Sequence, residues 1–155
     1  MASYYFVTLC TKDRINHFGS IKNGEILLNS VGKKADKYWR SIPQYYDDTK
    51  LDEYIIMPNH IHGIIVIMGD ELRTGHYPVP TTPRYGLLSK IFNAFKNAVT
   101  KNIKNHTINN FAWQRSFYDH VIRNENDFMR IRQYIQNNPS KWHLDEYYNV
   151  RNETQ

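Results

Sequence analysis

The run EYIIMPNHIHGIIVIM, residues 53–68, constrains the fold of this chain more than any other stretch. Two short isoleucine-rich segments flank a Pro-Asn pair, and each has the length and composition of a strand rather than a helix. Proline has no amide hydrogen to give to a sheet ladder, and asparagine tolerates turn backbone. The spacing therefore predicts an antiparallel hairpin with a tight turn near Pro58. A hairpin in mid-chain commits the domain to a sheet that is at least partly antiparallel.

The flanking segments supply the rest. SYYFVTLCT (3–11) is rich in β-branched and aromatic residues and reads as a strand. ILLNSVGKKADKYWRSI (26–42) places Leu27, Leu28, Val31, Ala35, Tyr38, Trp39 and Ile42 at helical spacing, with Pro43 just beyond. LLSKIFNAFKNAVTKNIK (87–104) predicts a second helix, with Ile91, Phe92, Phe95 and Val99 in its apolar stripe and Lys90, Lys101 and Lys104 opposite. NFAWQRSFYDHVIRN (110–124) reads as a further strand region. ENDFMRIRQYIQNNP (125–139) has acidic residues in its first turn and a proline after its end, the marks of a helix. Between the hairpin and the second helix, residues 69–86 carry three prolines and three glycines and are expected to form a long loop. The order β, α, β, β, α, β, α predicts an α+β domain, a central antiparallel sheet with helices packed on it.

With 155 residues and 41 % hydrophobic composition, the chain is expected to form one domain with its own core. The single cysteine, Cys10, excludes an internal disulfide and a cysteine-based zinc knuckle, and suits a reducing cytoplasm. No stretch approaches the ~20 apolar residues of a membrane span, and the N-terminal residues lack the pattern of a signal peptide. The net charge of +5 favours a polyanionic partner. Twelve tyrosines and three tryptophans offer rings that stack on unpaired bases or fill a core.

Side chains alternate along a strand, so His60 and His62 are expected to project from one face and Asn59, Ile61 and Gly63 from the other. Two imidazoles two residues apart can reach one cation; two histidines on a solvated face would give the same pattern. Gly63 permits close approach of another group. A pair does not complete a metal site, and neither Cys-x-x-Cys nor His-Glu-x-x-His occurs, so a further ligand has to come from elsewhere in the chain. On the last helix, Arg130, Tyr134 and Asn138 fall at i, i+4 and i+8 and share one stripe. Tyr134 edging the core and Asn138 ending the helix is the plainer account of that spacing.

MPNHIHGIIVI followed by FYDHVIRNENDFMRIRQYIQNNPSKW resembles the REP-associated tyrosine transposases. These belong to the single-tyrosine, His-hydrophobic-His (HUH) superfamily that acts on single-stranded DNA. The resemblance runs from the first strand to Trp142 and implies a ferredoxin-like α+β fold. It implies a divalent metal, Mg²⁺ or Mn²⁺, on His60 and His62, with Asn138 as third ligand. The nucleophile it implies is Tyr134 in the pattern Tyr-Ile-x-x-Asn-Pro, with Tyr118 as the rival. The activity it implies is cleavage and rejoining of single-stranded or hairpin DNA through a 5′-phosphotyrosine, in the bacterial cytoplasm, by a monomer or homodimer. Lys90, Lys96, Lys101, Arg123 and Arg130 are candidates to hold phosphates, and Trp113, Tyr77 and Tyr85 to stack on bases. The expected boundaries are a nuclease domain over 1–145 and a tail over 146–155. A water-using metal-dependent phosphodiesterase and a hairpin-binding module that does not cut remain alternatives.

Overall fold

The computed structural model describes residues 2–69, 85–104 and 110–149. Most of the long loop, with Tyr77, lies outside the described residues, as do the side chains of Tyr85 and Lys104. The elements are β1 (Ser3–Cys10), β2 (Gly19–Lys22), β3 (Glu25–Leu28), α1 (Ser30–Arg40), α2 (Ile42–Tyr45), β4 (Thr49–Ile56), β5 (His60–Ile67), α3 (Tyr85–Lys104), β6 (Tyr118–Ile122) and α4 (Glu125–Asn137). A 3₁₀ segment, Pro139–Leu144, follows α4.

Four strands form one antiparallel sheet in the order β4-β5-β1-β6. Setting β2 and β3 aside, the sequence βαββαβ with this strand order is the ferredoxin-like arrangement of a central antiparallel sheet with helices packed on it. The hairpin read from residues 53–68 is β4–β5, closed through Met57–Asn59, with the Met57 amide donating to the His60 carbonyl.

Alternation along the strands divides the interior in two. Tyr5, Val7 and Leu9 of β1 and Ile61, Ile65 and Ile67 of β5 face α1 and α3, where Ala35, Trp39, Ile91, Phe92, Phe95 and Val99 complete the larger core. Ile64 and Ile122 face the other way and pack with Ile131 and Ile135 of α4, flanked by Phe6, Ile55 and Phe128. Alternation puts Gly63 on the larger-core side, where no side chain fits: a Cβ there would stand 2.3 Å from Trp39 Cζ2.

The first helix begins later than its hydrophobic spacing suggests. Asn29 caps it, its side chain accepting from the Gly32 amide at 2.9 Å. Leu27 and Leu28 belong instead to the small sheet of β2 and β3. That hairpin turns on Asn23-Gly24, both in the left-handed region at φ 54° and 75°, the backbone that a two-residue turn of this kind requires. The strand expected within residues 110–124 is confined to Tyr118–Ile122, with one isolated bridge between Thr11 and Trp113. No helix among the described residues is long and apolar enough to cross a membrane. Cys10 is buried and free.

Candidate active site

The site lies on the α4 face of the sheet. Strand β5 turns His60 and His62 to that face, and both are completely or almost completely buried. Their rings stand 4.4 Å apart, centroid to centroid. Each imidazole is tied through Nδ1. His60 Nδ1 is 2.7 Å from Asn59 Oδ1, which can only accept, so that nitrogen carries the proton and Nε2 carries the lone pair. His62 Nδ1 is 2.8 Å from Thr8 Oγ1, its cross-strand neighbour in the β1–β5 register. Burial holds both imidazoles neutral: His62 is pushed down to about 3, and His60 is held well below the ordinary value by burial and then by His62 beside it. Neutral imidazoles held through Nδ1, with Nε2 turned into the site, are in the state that ligates a metal.

Asn59 is therefore not on the opposite face in the sense that strict alternation predicts. It sits in the turn ahead of β5, where its side chain folds back to His60 Nδ1 while its Nδ2 donates to the carbonyls of Arg14 (3.1 Å) and Tyr147 (2.7 Å).

Helix α4 brings the third element. It starts at Asn124, whose side chain accepts from the Asp127 amide, and its Ile131 and Ile135 lock it onto the sheet. Tyr134 is 42 % exposed, and its hydroxyl lies 3.4 Å from His62 Nε2. Its ring also stands edge-on to Phe6, 6.1 Å between centroids. Burial, and then the charges of Asp145 and Glu146, push its hydroxyl up to about 12, against a lowering contact with Asn138. Asn138 caps α4 and is buried. Its Nδ2 donates to Asp145 Oδ2 at 2.8 Å, while its Oδ1 has no partner. His60 Nε2 is likewise buried and unpartnered. Buried polar atoms without partners are uncommon and need a reason.

Asp145 supplies a carboxylate that the motifs do not announce. Ligand atoms of His60, His62 and Asp145 all lie within 4.8 Å of one another. Two orphaned acceptors, a neutral imidazole pair and a nearby carboxylate fit a divalent cation. Beyond Asp145, Tyr147 lies across the imidazoles, its ring 4.5 Å from that of His60 and 5.7 Å from that of His62. Arg14 holds this segment, donating to the Glu146 carbonyl at 2.8 Å with its guanidinium over the Tyr147 ring. Glu146 and Tyr147 thus lie against the site, although they fall in the segment read from sequence as a tail. Thr8, Asn59, Asp145 and Tyr147 escape sequence reading because cross-strand register and turn geometry, not local spacing, bring them here.

A cavity of about 490 Å³ opens in front of Tyr134, lined by Phe6, Thr8, His62, Tyr118, His120 and Arg130 among others. Tyr118 is on its far side on β6, exposed, with its ring 6.4 Å from Phe6. Arg130 is exposed at the rim and pairs with Asp127, which also bonds His120 at 2.8 Å. Arg123 is exposed just after β6. Lys90 and Lys101 are exposed on α3, which packs on the opposite face of the sheet from the imidazoles. Lys96 is buried, donating to the carbonyls of Gln114 (2.9 Å) and Ser116 (3.2 Å), so its ammonium serves the fold. Trp113 packs against Phe18, Phe95 and Phe111.

No family model matches the chain. An uncharacterized protein of Haemophilus influenzae is 35 % identical over 154 residues, which cover 94 % of this chain and 84 % of that protein. A REP-associated tyrosine transposase solved bound to a REP hairpin superposes with a TM-score of 0.63 at 19 % identity, covering 93 % of this chain and 70 % of that one. A candidate transposase of Deinococcus radiodurans superposes with a TM-score of 0.54 at 16 % identity, covering 88 % and 91 %. The likeness in fold falls on the family that the two motifs resemble.

Proposed function

Because the chain belongs to the same family as the Haemophilus influenzae protein and has the fold of a REP-associated tyrosine transposase, we propose that it is a metal-dependent DNA strand transferase. Its substrate is single-stranded DNA beside a hairpin, in the bacterial cytoplasm. The observation that carries this is the approach of the Tyr134 hydroxyl to within 3.4 Å of a buried, neutral imidazole on the floor of an open cavity. A phenol placed there can meet a phosphate that enters the cavity.

His60, His62 and Asn138 would hold the cation, Mg²⁺ or Mn²⁺. When bound, it polarises the scissile phosphate and offsets charge that builds on its oxygens. Asn59 holds His60 with its Nε2 lone pair available, and Thr8 fixes the orientation of His62, whose Nε2 faces the Tyr134 hydroxyl. Tyr134 gives up its proton to water in the cavity as its oxygen bonds to phosphorus. The bond from phosphorus to the 3′ oxygen breaks, and that oxygen takes up a proton to become a 3′-hydroxyl. The 5′ side stays on Tyr134 as a phosphotyrosine, which a later 3′-hydroxyl attacks in the reverse sense, rejoining strands without ATP. Single-stranded substrate suits the site because in a duplex the neighbours of the target phosphate are held in paired, stacked bases. Arg130 and Arg123, exposed near the cavity, are placed to meet flanking phosphates.

The test is a denaturing gel of the protein with a labelled hairpin carrying single-stranded flanks and Mn²⁺. The expected result is a protein-shifted band that Tyr134→Phe abolishes, a loss of at least ~10³-fold in adduct formed. Cleavage that survives Tyr134→Phe would move the chemistry to water or to Tyr118. Binding without cleavage would make the chain a hairpin-binding module.

A further inference from the structure

Asp145 lies outside both motifs, yet it is built into the cluster. It follows the 3₁₀ segment that the Asn138-Pro139 junction begins. Its carboxylate is fixed at both oxygens: Oδ1 accepts the Tyr147 amide at 2.8 Å, and Oδ2 accepts from Asn138 Nδ2 at 2.8 Å. The second bond also sets the flip of the Asn138 amide, because an Nδ2 spent on Asp145 leaves Oδ1 as the free end. Each carboxylate oxygen retains a further lone-pair direction. Of the two imidazoles that share the cluster, His60 is wholly buried with Nε2 unpartnered. A carboxylate half-buried against two neutral imidazoles and an orphaned amide oxygen makes sense if a cation joins them.

The geometry points to Asp145 as a direct ligand of the divalent cation, alongside His60, His62 and Asn138. This rests on the metal-dependent reading above and adds a fourth, anionic donor to it. Donors on one ion at about 2.2 Å lie no more than about 4.4 Å apart, so a spread of up to 4.8 Å closes with small side-chain shifts. Two nitrogens and two oxygens leave positions on a six-coordinate ion for a phosphate oxygen and water. The carboxylate also biases the choice of ion. Hard anionic oxygen suits Mn²⁺ and Mg²⁺, whereas imidazoles with a neutral amide would leave Zn²⁺ at an advantage.

The experiment is calorimetric titration of the full chain, without DNA, with MnCl₂ and separately with ZnCl₂, for the wild type, Asp145→Ala and Asp145→Asn. The expected result is that Asp145→Ala weakens Mn²⁺ at least tenfold and Zn²⁺ by less, so the Mn²⁺:Zn²⁺ affinity ratio falls. Asp145→Asn, nearly the same size, is expected to lower that ratio too; it decides the matter if circular dichroism shows Asp145→Ala unfolded. Equal Mn²⁺ affinity in wild type and variants would overturn the assignment. So would an equal proportional loss for both ions, which would leave Asp145 as a brace for Asn138. A wild type that binds no Mn²⁺ would overturn the metal-dependent reading itself. Mn²⁺ binding that depends on Asp145, with no DNA adduct at Tyr134, would sustain the ligand and remove the strand-transfer reading.

Discussion

His60 and His62 show how one residue type acquires a role from what it touches. Neither imidazole is in water, so each stays neutral where a solvated one would charge. This has a sign for stability. In the unfolded chain an imidazole binds a proton below about 6.5, whereas folded His62 does so near 3. Between those values the unfolded state holds more protons, so folding weakens as pH falls, by up to about 1.4 kcal/mol per pH unit for each such group. His60 and His17, both pushed down by burial, add to the effect. Urea midpoints in the absence of metal are expected to drop between pH 7.5 and pH 5, and to drop less in His62→Gln; equal midpoints at the two pH values would mean charged imidazoles in the folded protein. The shared face of His60 and His62 is legible from alternation, and so is the stripe of Tyr134 and Asn138. Asp145 is not, because the six-residue 3₁₀ segment Pro139–Leu144 separates it from Asn138 with no periodicity to reveal the return.

At the scale of elements, β5 carries both halves of the molecule. Its even positions through Val66 turn to the site side, and Ile61, Gly63, Ile65 and Ile67 to the larger core. At Gly63 the Trp39 indole of helix α1 leaves no room for a side chain. Gly63→Ala drives a methyl into the indole and is expected to cost about 1–3 kcal/mol or more, lowering the melting temperature by about 2–4 °C for each kcal/mol in a chain of this size. Thermal unfolding followed by circular dichroism checks this, and an unchanged midpoint would show that Trp39 can move aside. The sequence reading of β4–β5 and of α4 succeeds because Pro-Asn and the acidic first turn are local signals. It fails at Leu27 and Leu28, whose spacing suits a helix by coincidence. Asn29 starts α1 after them, and the Asn23-Gly24 turn pairs their strand with β2. That dipeptide is a strong hairpin signal in its own right.

At the scale of the whole molecule, the sheet stands between structure and chemistry. The larger core, with α1 and α3, lies on one side, and the imidazoles, α4 and the cavity lie on the other. Folding is therefore expected to need no cation: Thr8 and Asn59 hold the imidazoles through Nδ1, and the cores are built from other residues. Chelation of divalent ions is expected to abolish strand transfer while leaving the far-ultraviolet circular dichroism spectrum unchanged; unfolding on chelation would make the metal part of the scaffold, as in small zinc domains. The same division explains why Lys90 and Lys101, read from sequence as phosphate contacts, lie on the side away from Tyr134. Helical periodicity says which residues face solvent but not which side of the sheet that solvent is on.

The hydrogen atom on the α-carbon of Gly63 is all the clearance between strand and indole, and the residue that owns it is bonded directly to His62. The two faces meet at that point through a single peptide unit. Repacking deep in the hydrophobic interior, by a substitution that never touches the cavity, would surface as a misaligned imidazole on the opposite face of the sheet.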